Sequence, residues 1–474
     1  MSVDATLIHI RLTEPLLSFD PNDPSALHTN PLQGLVDHGP HSKVLWAHDN
    51  AIQVVAIAPA DTAHGVAALL TELRNPATPR ERREYLPPYP GFRATFRTGI
   101  APASPTGRVA LPRDLDEQLR ASHTPHQLLA DTLSTELRRL KESGAQFDVA
   151  MLHLPDRWSP WFTAEQFDLH DHIKAFAARI GIRTQVLNDD PMHYFCRASV
   201  CWRLSTALYA KAGGLPYKLA TGGLLDPGAV YVGLAYGVRE PGAANQQFVV
   251  CCSQMFDSEG GGLEFVAHDF GRDVDARNPL LSRDQMRTVL SRALGVYADR
   301  HTGRKPSSIV VHKQTDFTDD ETAGCVDAWG SATGITCVSL TQPPWRGVEV
   351  IGARDDHRPG PKYAYATSRG TLVQLDGHSG LLWVAGNSRG ATLNRRNYLP
   401  GGKGTPRPLM LTRFAGSGPI AETAAPVLAL SKMDFNSDSP YTSMPVTIRY
   451  AQVLARIVKT QPLPGVPYDF RLFM

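Results

Sequence analysis

The order of strand-like and helix-like segments is the feature that most narrows the folds open to this chain. Within residues 147–212, strand-like runs at 147–154 and 182–187 alternate with helical patterns at 170–180 and 198–212. Strands separated by helices of this length form right-handed βαβ units. This part of the chain therefore predicts a largely parallel sheet in a Rossmann-like α/β domain.

After Pro216 the pattern changes to successive strands, which predict an antiparallel meander. The three strand-like runs are residues 229–238, 247–256 and 263–269. A helix at 283–300 follows, and its start has the capping-box spacing Ser282 to Gln285. A β-branched strand at 308–312 and a second capping box, Thr318 to Glu321, come next. This order is typical of an RNase H-like domain, although other mixed α/β folds share it.

The length of 474 residues suggests two to four domains, at about 150 residues each. We place the boundary at the change of pattern, which gives domains at residues 1–215 and 216–474. The first would carry an N-terminal extension with a helix at 62–73, capped by Asp61, and a second helix at 128–141.

Charge and cysteine spacing exclude several classes of protein. The 48 basic and 46 acidic residues nearly cancel, so any nucleic-acid surface must be local. Six cysteines without CxxC spacing predict reduced, buried thiols rather than metal ligands. The acidic N-terminal region and the lack of a long apolar run predict a soluble, cytoplasmic protein without membrane contact.

Four residues have a spacing that suits a terminal phosphate. His170 and Lys174 lie one turn apart near the start of a predicted helix, so their side chains share a face. Gln185 and Lys211 would add an amide and a second cation. The alternative is an ordinary solvated helix face, with Lys211 favouring a helix C-terminus.

Several ordered blocks together give the chain a family resemblance. The blocks are residues 14–19, 90–92, 167–185, 204–219, 229–238, 309–314 and 430–458. With them the chain resembles the short prokaryotic Argonautes, which contain a MID and a PIWI domain and lack the N and PAZ domains. The resemblance implies a Rossmann-like MID domain followed by an RNase H-like PIWI domain.

The same resemblance implies a site for the 5′-phosphate of a guide strand. The family's MID motif falls on His170, Lys174, Gln185 and Lys211. Family members complete this pocket with the carboxylate of the last residue, through a bound Mg²⁺. Here that residue would be Met474, and a hard cation between a phosphate and a carboxylate is sound oxygen-ligand chemistry.

The resemblance also implies that the PIWI domain has lost its cleavage chemistry. Active members hold two metal ions with carboxylates, and Ala235 and Gln314 stand at two of these positions. Neither residue is a good Mg²⁺ ligand. Asp434 and Asp438 are alternative ligands by position, but we interpret isolated loop acids as structural. His312 is a candidate general base, for which a buried core histidine is the preferred interpretation.

Two groups of basic residues are candidates for contacts with the nucleic-acid backbone. The first group lies in a Gly- and Asn-rich stretch and comprises Arg389, Arg395, Arg396, Lys403 and Arg407. The second, Lys432 and Arg449, would lie nearer the guide path. A solvated loop is the alternative for the first group.

The function implied by the resemblance is defence against invading plasmid or phage DNA. A guide RNA would pair with complementary single-stranded target DNA and activate a partner protein that contains an APAZ domain. The partner would carry a sirtuin-like or TIR NADase, or in some systems a nuclease, and NAD depletion would cause abortive infection. A higher oligomer of the active complex is compatible with this scheme. The alternatives are a guide-directed RNase H-like nuclease and a structural subunit that never loads a guide.

Overall fold

A computed structural model describes most of the chain. The described residues are 8–42, 51–103, 107–165, 167–220, 225–226, 228–239, 248–257, 262–271, 280–353, 361–394, 396, 399, 404–460, 463 and 467–474. Among them, no helix combines the length and the apolar character that crossing a membrane requires.

The first half of the chain forms the small sheet, whose strands are all parallel. In spatial order the strands are Thr184–Leu187, Val149–His153, Ala51–Ala58 and Gly99–Pro102, and Arg108–Ala110 also pairs with Ala51–Ala58. The helices around it are Pro31–His38, Ala63–Arg74, Phe92–Phe96, Leu115–Ala121, Pro125–Glu142, Leu169–Arg179, Asp190–His193 and Arg197–Lys211. The predicted parallel sheet is confirmed. The proposed cap Asp61 is wrong, because Thr62 precedes the helix and Asp61 instead pairs with Arg157 at 3.1 Å.

The large sheet has ten strands among the described residues, nine of them from residue 230 onwards, and the predicted meander continues into parallel strands. The spatial order is Ile8–Arg11, Thr371–Gln374, Ser379–Leu382, Leu409–Ala415, Ile335–Thr341, Ile309–Lys313, Val230–Arg239, Phe248–Phe256, Gly262–Gly271 and Tyr468–Asp469. Val230–Arg239 is antiparallel to the second meander strand and parallel to Ile309–Lys313. This mixed arrangement is the expected strand order of an RNase H-like domain.

Among the described residues, four helices accompany the large sheet, and several smaller elements complete the fold. The helices are Arg283–Arg300, Asp319–Trp329, Ile420–Leu430 and Val446–Thr460. Both predicted capping boxes are present at the starts of the first two. The smaller elements are the strands Leu17–Ser18, Leu27–His28, Lys218–Leu219, Thr163–Ala164, Phe167–Asp168, Val348–Ala353 and Pro361–Ala366, and the short 3-10 turns Asp156–Trp161 and Phe470–Leu472.

Two glycines of the strand Val230–Arg239 bring the helix Val446–Thr460 unusually close to the large sheet. A Cβ atom on Gly233 would lie 2.1 Å from the carbonyl oxygen of Thr447, and one on Gly237 would lie 2.9 Å from that of Ala455. Any larger side chain at either position would therefore push the helix away from the strand. The close approach fixes the helix over this strand, next to Ala235.

The N-terminal segment is joined to the large sheet by a strand and a buried ion cluster. Ile8–Arg11 pairs with Thr371–Gln374, although the predicted boundary assigns residues 1–215 to the first domain. The carboxylate of Glu14 then contacts Arg369 at 3.0 Å and Lys432 at 2.6 Å. The Lys432 side chain is fully buried and also donates to the carbonyl oxygens of Pro15 and Thr29.

This burial makes the prediction of Lys432 as a nucleic-acid contact wrong. Its ammonium group is satisfied inside the protein by a carboxylate and two carbonyl oxygens, so a phosphate cannot reach it. Burial lowers the pKa of Lys432 to about 8, although Glu14 opposes this change. Lys432 therefore stabilises the junction of the N-terminal segment with the large sheet.

The described cysteines agree with the prediction of reduced thiols. Cys196, Cys201, Cys325 and Cys337 are free and buried. The side chains of Cys251 and Cys252 lie outside the described residues.

Candidate functional site

A cavity of about 600 Å³ lies between the helices of the small sheet and the helix Val446–Thr460. We call it the basic cavity. All five residues of the predicted phosphate pocket line it. Its polar and charged lining residues are His170, Lys174, Gln185, Asn188, Arg203, Lys211, Asp434, Asn436, Arg449, Tyr450, Gln452 and Arg456, and Met474 closes one side.

The start of the helix Leu169–Arg179 positions two of these residues. Asp168 caps the helix by accepting a hydrogen bond from the backbone N–H of Asp171 at 2.9 Å. His170 and Lys174 then follow on the face that lines the cavity. The His170 side chain remains 44% exposed, whereas Lys174 is only 1% exposed. A ligand would therefore meet His170 at the opening and Lys174 at the base.

Lys174 is a buried ammonium group without a carboxylate side chain beside it among the described residues. Its Nζ donates to the backbone oxygens of Thr184 at 2.8 Å and Met474 at 2.5 Å. Burial lowers the pKa of Lys174 to about 7. The structure thus brings Met474 and Lys174 together, as the sequence predicts.

Lys211 lies beside Lys174 and is also fully buried. Its Nζ donates to the side-chain oxygen of Gln185 at 2.6 Å. Burial, and then the positive charge of Lys174, hold the pKa of Lys211 well below its ordinary value. Two adjacent lysines that burial drives toward neutrality are an arrangement that an incoming anion would stabilise.

Three arginines surround the two lysines, and two of them are held by acids. Arg449 pairs with Asp434 at 2.8 Å. Arg456 makes a two-pronged contact with Asp171, at 2.8 and 2.9 Å. Burial opposes ionisation of Asp171, but hydrogen bonds from His170 and Arg456 outweigh it and lower its pKa. Arg203 lines the same cavity with an exposed side chain.

One group of potential metal ligands borders the basic cavity. Ligand atoms of Asp168, His170 and Asp171 lie within 4.8 Å of one another. However, Asp168 caps the helix and both oxygens of Asp171 contact Arg456. The main-chain oxygen of Met474 and the side-chain oxygen of Gln185 lie inside the cavity next to the lysines.

A second cavity, of about 400 Å³, lies where the strand Ile309–Lys313 ends, beside residues 234–237 of the strand Val230–Arg239. We call it the strand-end cavity. Ala235 and Gln314, the two predicted replacements, both line it. Among its described lining residues none is an aspartate or a glutamate. Instead, Gln452 donates a side-chain hydrogen bond to Gln314.

Glu321, the acid that pairs with Lys313 of this cavity, is committed to other partners. Its carboxylate is fully buried and accepts from Lys313 at 2.5 Å and from the hydroxyl of Tyr236 at 2.9 Å. It also accepts the backbone N–H of Thr318 at 3.1 Å and so completes the capping box. Glu321 thus neutralises Lys313, and sequence reasoning identified only its capping role.

The other proposed catalytic residues have structural partners. Asp438 accepts hydrogen bonds from Arg82, at 2.9 Å, and from Ser199. Asp434 accepts the backbone N–H of Asn436 at 3.0 Å, in addition to its pair with Arg449. His312 is fully buried, contacts the hydroxyl of Thr447 at 3.0 Å, and has a pKa lowered to about 3 by burial.

The basic segment of residues 386–407 is described only in part. Arg389, Arg396 and Arg407 are exposed, whereas Arg395 and Lys403 lie outside the described residues. Arg407 and Arg449 line a further cavity of about 470 Å³. Arg449 therefore connects this cavity with the basic cavity.

Sequence reasoning missed Gln452 and Arg456, each of which lines both the basic and the strand-end cavity. Their spacing contained a usable signal. Polar residues at 449, 452, 456 and 459 recur at helical intervals and mark one face of Val446–Thr460. Without the fold, that face resembles any solvated helix surface.

No protein-family model and no curated protein sequence matches the chain. Solved Argonaute structures match its fold. The structure of Clostridium butyricum Argonaute bound to a guide DNA and a 19-mer target DNA has a TM-score of 0.66 at 16% identity, over 99% of this chain and 55% of that chain.

Two further matches agree. A structure of Aa-Ago with externally bound siRNA has a TM-score of 0.60 at 14% identity, over 98% of this chain and 56% of that chain. A structure of A. aeolicus Argonaute has a TM-score of 0.56 at 14% identity, over 97% of this chain and 54% of that chain. The chain thus spans just over half the length of each. The likeness shows the fold and confirms the prediction of MID-like and PIWI-like α/β domains.

Proposed function

We propose that this chain anchors the 5′-phosphate of a short guide strand in the basic cavity and recognises nucleic acid complementary to that guide. The observation that carries the proposal is the convergence of His170, Lys174, Gln185 and Lys211 in one cavity. Support also comes from the fold, because C. butyricum Argonaute with the same fold has been solved with a guide and a target DNA.

The two buried lysines give the cavity its selectivity for a terminal phosphate. Such a phosphate carries nearly two negative charges at neutral pH, whereas a phosphodiester carries one. Its charge would raise the pKa of Lys174 and Lys211 and so stabilise their protonated forms. His170 and the side-chain N–H groups of Gln185 would donate further hydrogen bonds to the phosphate oxygens.

A magnesium ion, which the resemblance implies, fits the chemistry of this cavity. Mg²⁺ is usually bound through one or two carboxylates together with substrate phosphates. Met474 would hold it if its main-chain oxygen belongs to a terminal carboxylate, and Asn188 offers a further oxygen in the same cavity. When bound, the ion would supply positive charge against the guide phosphate.

We propose RNA as the guide and single-stranded DNA as the target, as the resemblance implies. Base pairing with the guide would then choose the target, and the protein would contact backbones without regard to sequence. The exposed Arg396 and Arg407, and the partly exposed Arg449, are suited to such contacts.

We further propose that the PIWI-like domain binds the duplex without cutting it. The strand-end cavity has Ala235 and Gln314 where metal-binding carboxylates are expected, and its described lining residues include no acid. The competing candidate is a guide-directed nuclease, which the RNase H-like strand order favours. Cutting of complementary DNA by the purified, guide-loaded chain with Mg²⁺ or Mn²⁺ would refute the binding-only proposal.

A recognition module without cleavage requires another protein to report the target. We propose an APAZ-containing effector, with a sirtuin-like or TIR NADase rather than a nuclease, in the same short-Argonaute system. Target binding would shift the complex toward an active state by contacting that state more favourably. The protein that co-purifies with this chain identifies the effector, and NAD consumption after target addition tests its activity.

The guide proposal is tested with Lys174→Ala/Lys211→Ala. Small nucleic acids that co-purify with this variant, with the wild type and with Lys141→Ala are extracted and sequenced. Lys141 is an exposed residue of the helix Pro125–Glu142 and serves as the matched control. We expect loss of 5′-phosphorylated guides in the double variant alone. Equal loading of 5′-phosphorylated guides by all three proteins would refute the proposed phosphate pocket.

A further inference from the structure

We propose that the strand-end cavity holds a backbone phosphate of the guide–target duplex directly, through cationic and amide side chains and without a metal ion. This inference rests on the proposed function, because the duplex reaches the cavity only if the chain loads a guide. It assigns a ligand to the place where an RNase H-like nuclease would hold its metal ions.

The charge of the cavity favours an anion. Arg456 and Lys459 are exposed and line it, and no acid is found among its described lining residues. Lys313 is neutralised by Glu321 at 2.5 Å. Arg456 shares its charge with Asp171, whereas no described residue forms an ion pair with Lys459. A divalent cation would find no carboxylate here, and a phosphate would find a net positive charge.

The two glutamines provide hydrogen-bond donors for the phosphate oxygens. Gln452 donates one side-chain N–H to the oxygen of Gln314, which fixes the orientation of both amides. Gln314 thereby accepts with its oxygen and retains its own NH₂ group, which carries two donors. Both side chains are exposed to the cavity. Neutral amide donors of this kind contact phosphate oxygens in many nucleic-acid complexes.

The packing of the helix Val446–Thr460 places these groups together. Gln452, Arg456 and Lys459 recur at intervals of four and three residues and so share one face of the helix. The close approach at Gly233 and Gly237 holds this helix against the strand Val230–Arg239, beside Ala235. The small Ala235 side chain leaves space that a larger side chain would fill. The cations, the amides and the space thus meet at one point.

The first experiment uses Lys459→Ala and Gln314→Ala, because these two residues line the strand-end cavity and do not line the basic cavity. The affinity of guide-loaded protein for a labelled complementary DNA is measured both in Mg²⁺ and in EDTA over a range of salt concentrations, and the guide that the protein retains is quantified in each case. We expect Lys459→Ala to weaken target binding about tenfold and to lower the salt slope by about one. Gln314→Ala should weaken it less, and Lys141→Ala should leave it unchanged.

An added negative charge separates a phosphate site from a latent metal site. Gln314→Glu places a carboxylate in the cavity. A phosphate site predicts weaker target binding than wild type, with or without Mg²⁺, because the carboxylate repels the phosphate. A latent metal site predicts that Mg²⁺ restores or strengthens target binding by this variant, and that result would overturn the inference.

The outcomes distinguish this inference from the function on which it rests. If Lys174→Ala/Lys211→Ala loads phosphorylated guides normally, the proposed function fails. If guide loading depends on those lysines but Lys459→Ala binds target as the wild type does, only the phosphate site in the strand-end cavity is refuted. Loss of guide affinity in Lys459→Ala, equal to its loss of target affinity, would also contradict the assignment.

Discussion

Lys211→Met tests the basic cavity with the least damage to the fold. Lys211 is fully buried, and its side chain makes hydrogen bonds with Gln185, at 2.6 Å, and with Lys174. Methionine has a similar length and no charge, so it fills the same space. Gln185 is partly exposed and can turn its oxygen to water. We therefore expect the free energy of unfolding at neutral pH to change by no more than about 1 kcal/mol.

The expected loss of guide affinity is much larger. A charge-assisted hydrogen bond contributes about 1.5–3 kcal/mol, and about 1.4 kcal/mol corresponds to a factor of ten in affinity. Part of this hydrogen-bond free energy is offset, because Lys211 must first be protonated. Burial and Lys174 hold its pKa well below the ordinary value in the guide-free protein. The variant should therefore bind a 5′-phosphorylated guide about tenfold or more weakly.

The assay compares guides that carry a 5′-phosphate with guides of the same sequence that carry a 5′-hydroxyl. Wild-type protein should prefer the phosphorylated guide, and Lys211→Met should lose most of that preference while its affinity for the hydroxyl guide stays constant. Thermal unfolding of the same preparations confirms that the fold is intact. An unchanged preference in a folded variant, or an equal loss for both guides, would refute the role of Lys211.

Three further predictions follow from buried charges. Affinity for a 5′-phosphorylated guide should fall as the pH rises above 7, because Lys174, with a pKa of about 7, then loses the proton that the phosphate favours; a 5′-hydroxyl guide should not show this dependence. Glu14→Gln should lower the free energy of unfolding by about 3–5 kcal/mol, measured by denaturant titration, since it leaves Arg369 and Lys432 buried without their carboxylate. The free energy of unfolding should fall as the pH drops below 6.5, because His312 binds a proton in the unfolded chain. In the folded protein its pKa is about 3, so it stays neutral there. His312→Asn should flatten the dependence of stability on pH, and an unchanged curve would contradict the assignment.

The order of elements was predictable because it depends on local patterns. Hydrophobic periodicity and the capping boxes at Ser282 and Thr318 act over a few residues, and both boxes are present. The predicted phosphate residues also meet in one cavity. Local sequence patterns could not predict this meeting, and the prediction came from the motif that the family resemblance supplied. Asp61 failed as a cap because a partner outside its helix, Arg157, competes for its carboxylate.

Long-range pairing explains what could not be predicted. Lysine is usually exposed, so the burial of Lys432 depends on Glu14, which lies at the opposite end of the sequence. The placement of Ile8–Arg11 in the large sheet likewise depends on a strand more than 350 residues away. The Gln314–Gln452 contact has the same origin, since it needs the helix Val446–Thr460 to lie over the strand ends.

The pairing of the N-terminal strand with the large sheet also affects how the protein is made. Ile8–Arg11 cannot pair until Thr371–Gln374 has left the ribosome, and Glu14 lacks one of its cations until Lys432 follows. At a synthesis rate of about 5–20 residues per second, roughly 20–80 s separate the synthesis of the N-terminal segment from that of its partners. During that time the segment is without its native partners. A truncation before Lys432 would leave the first residues synthesised among the last to be protected.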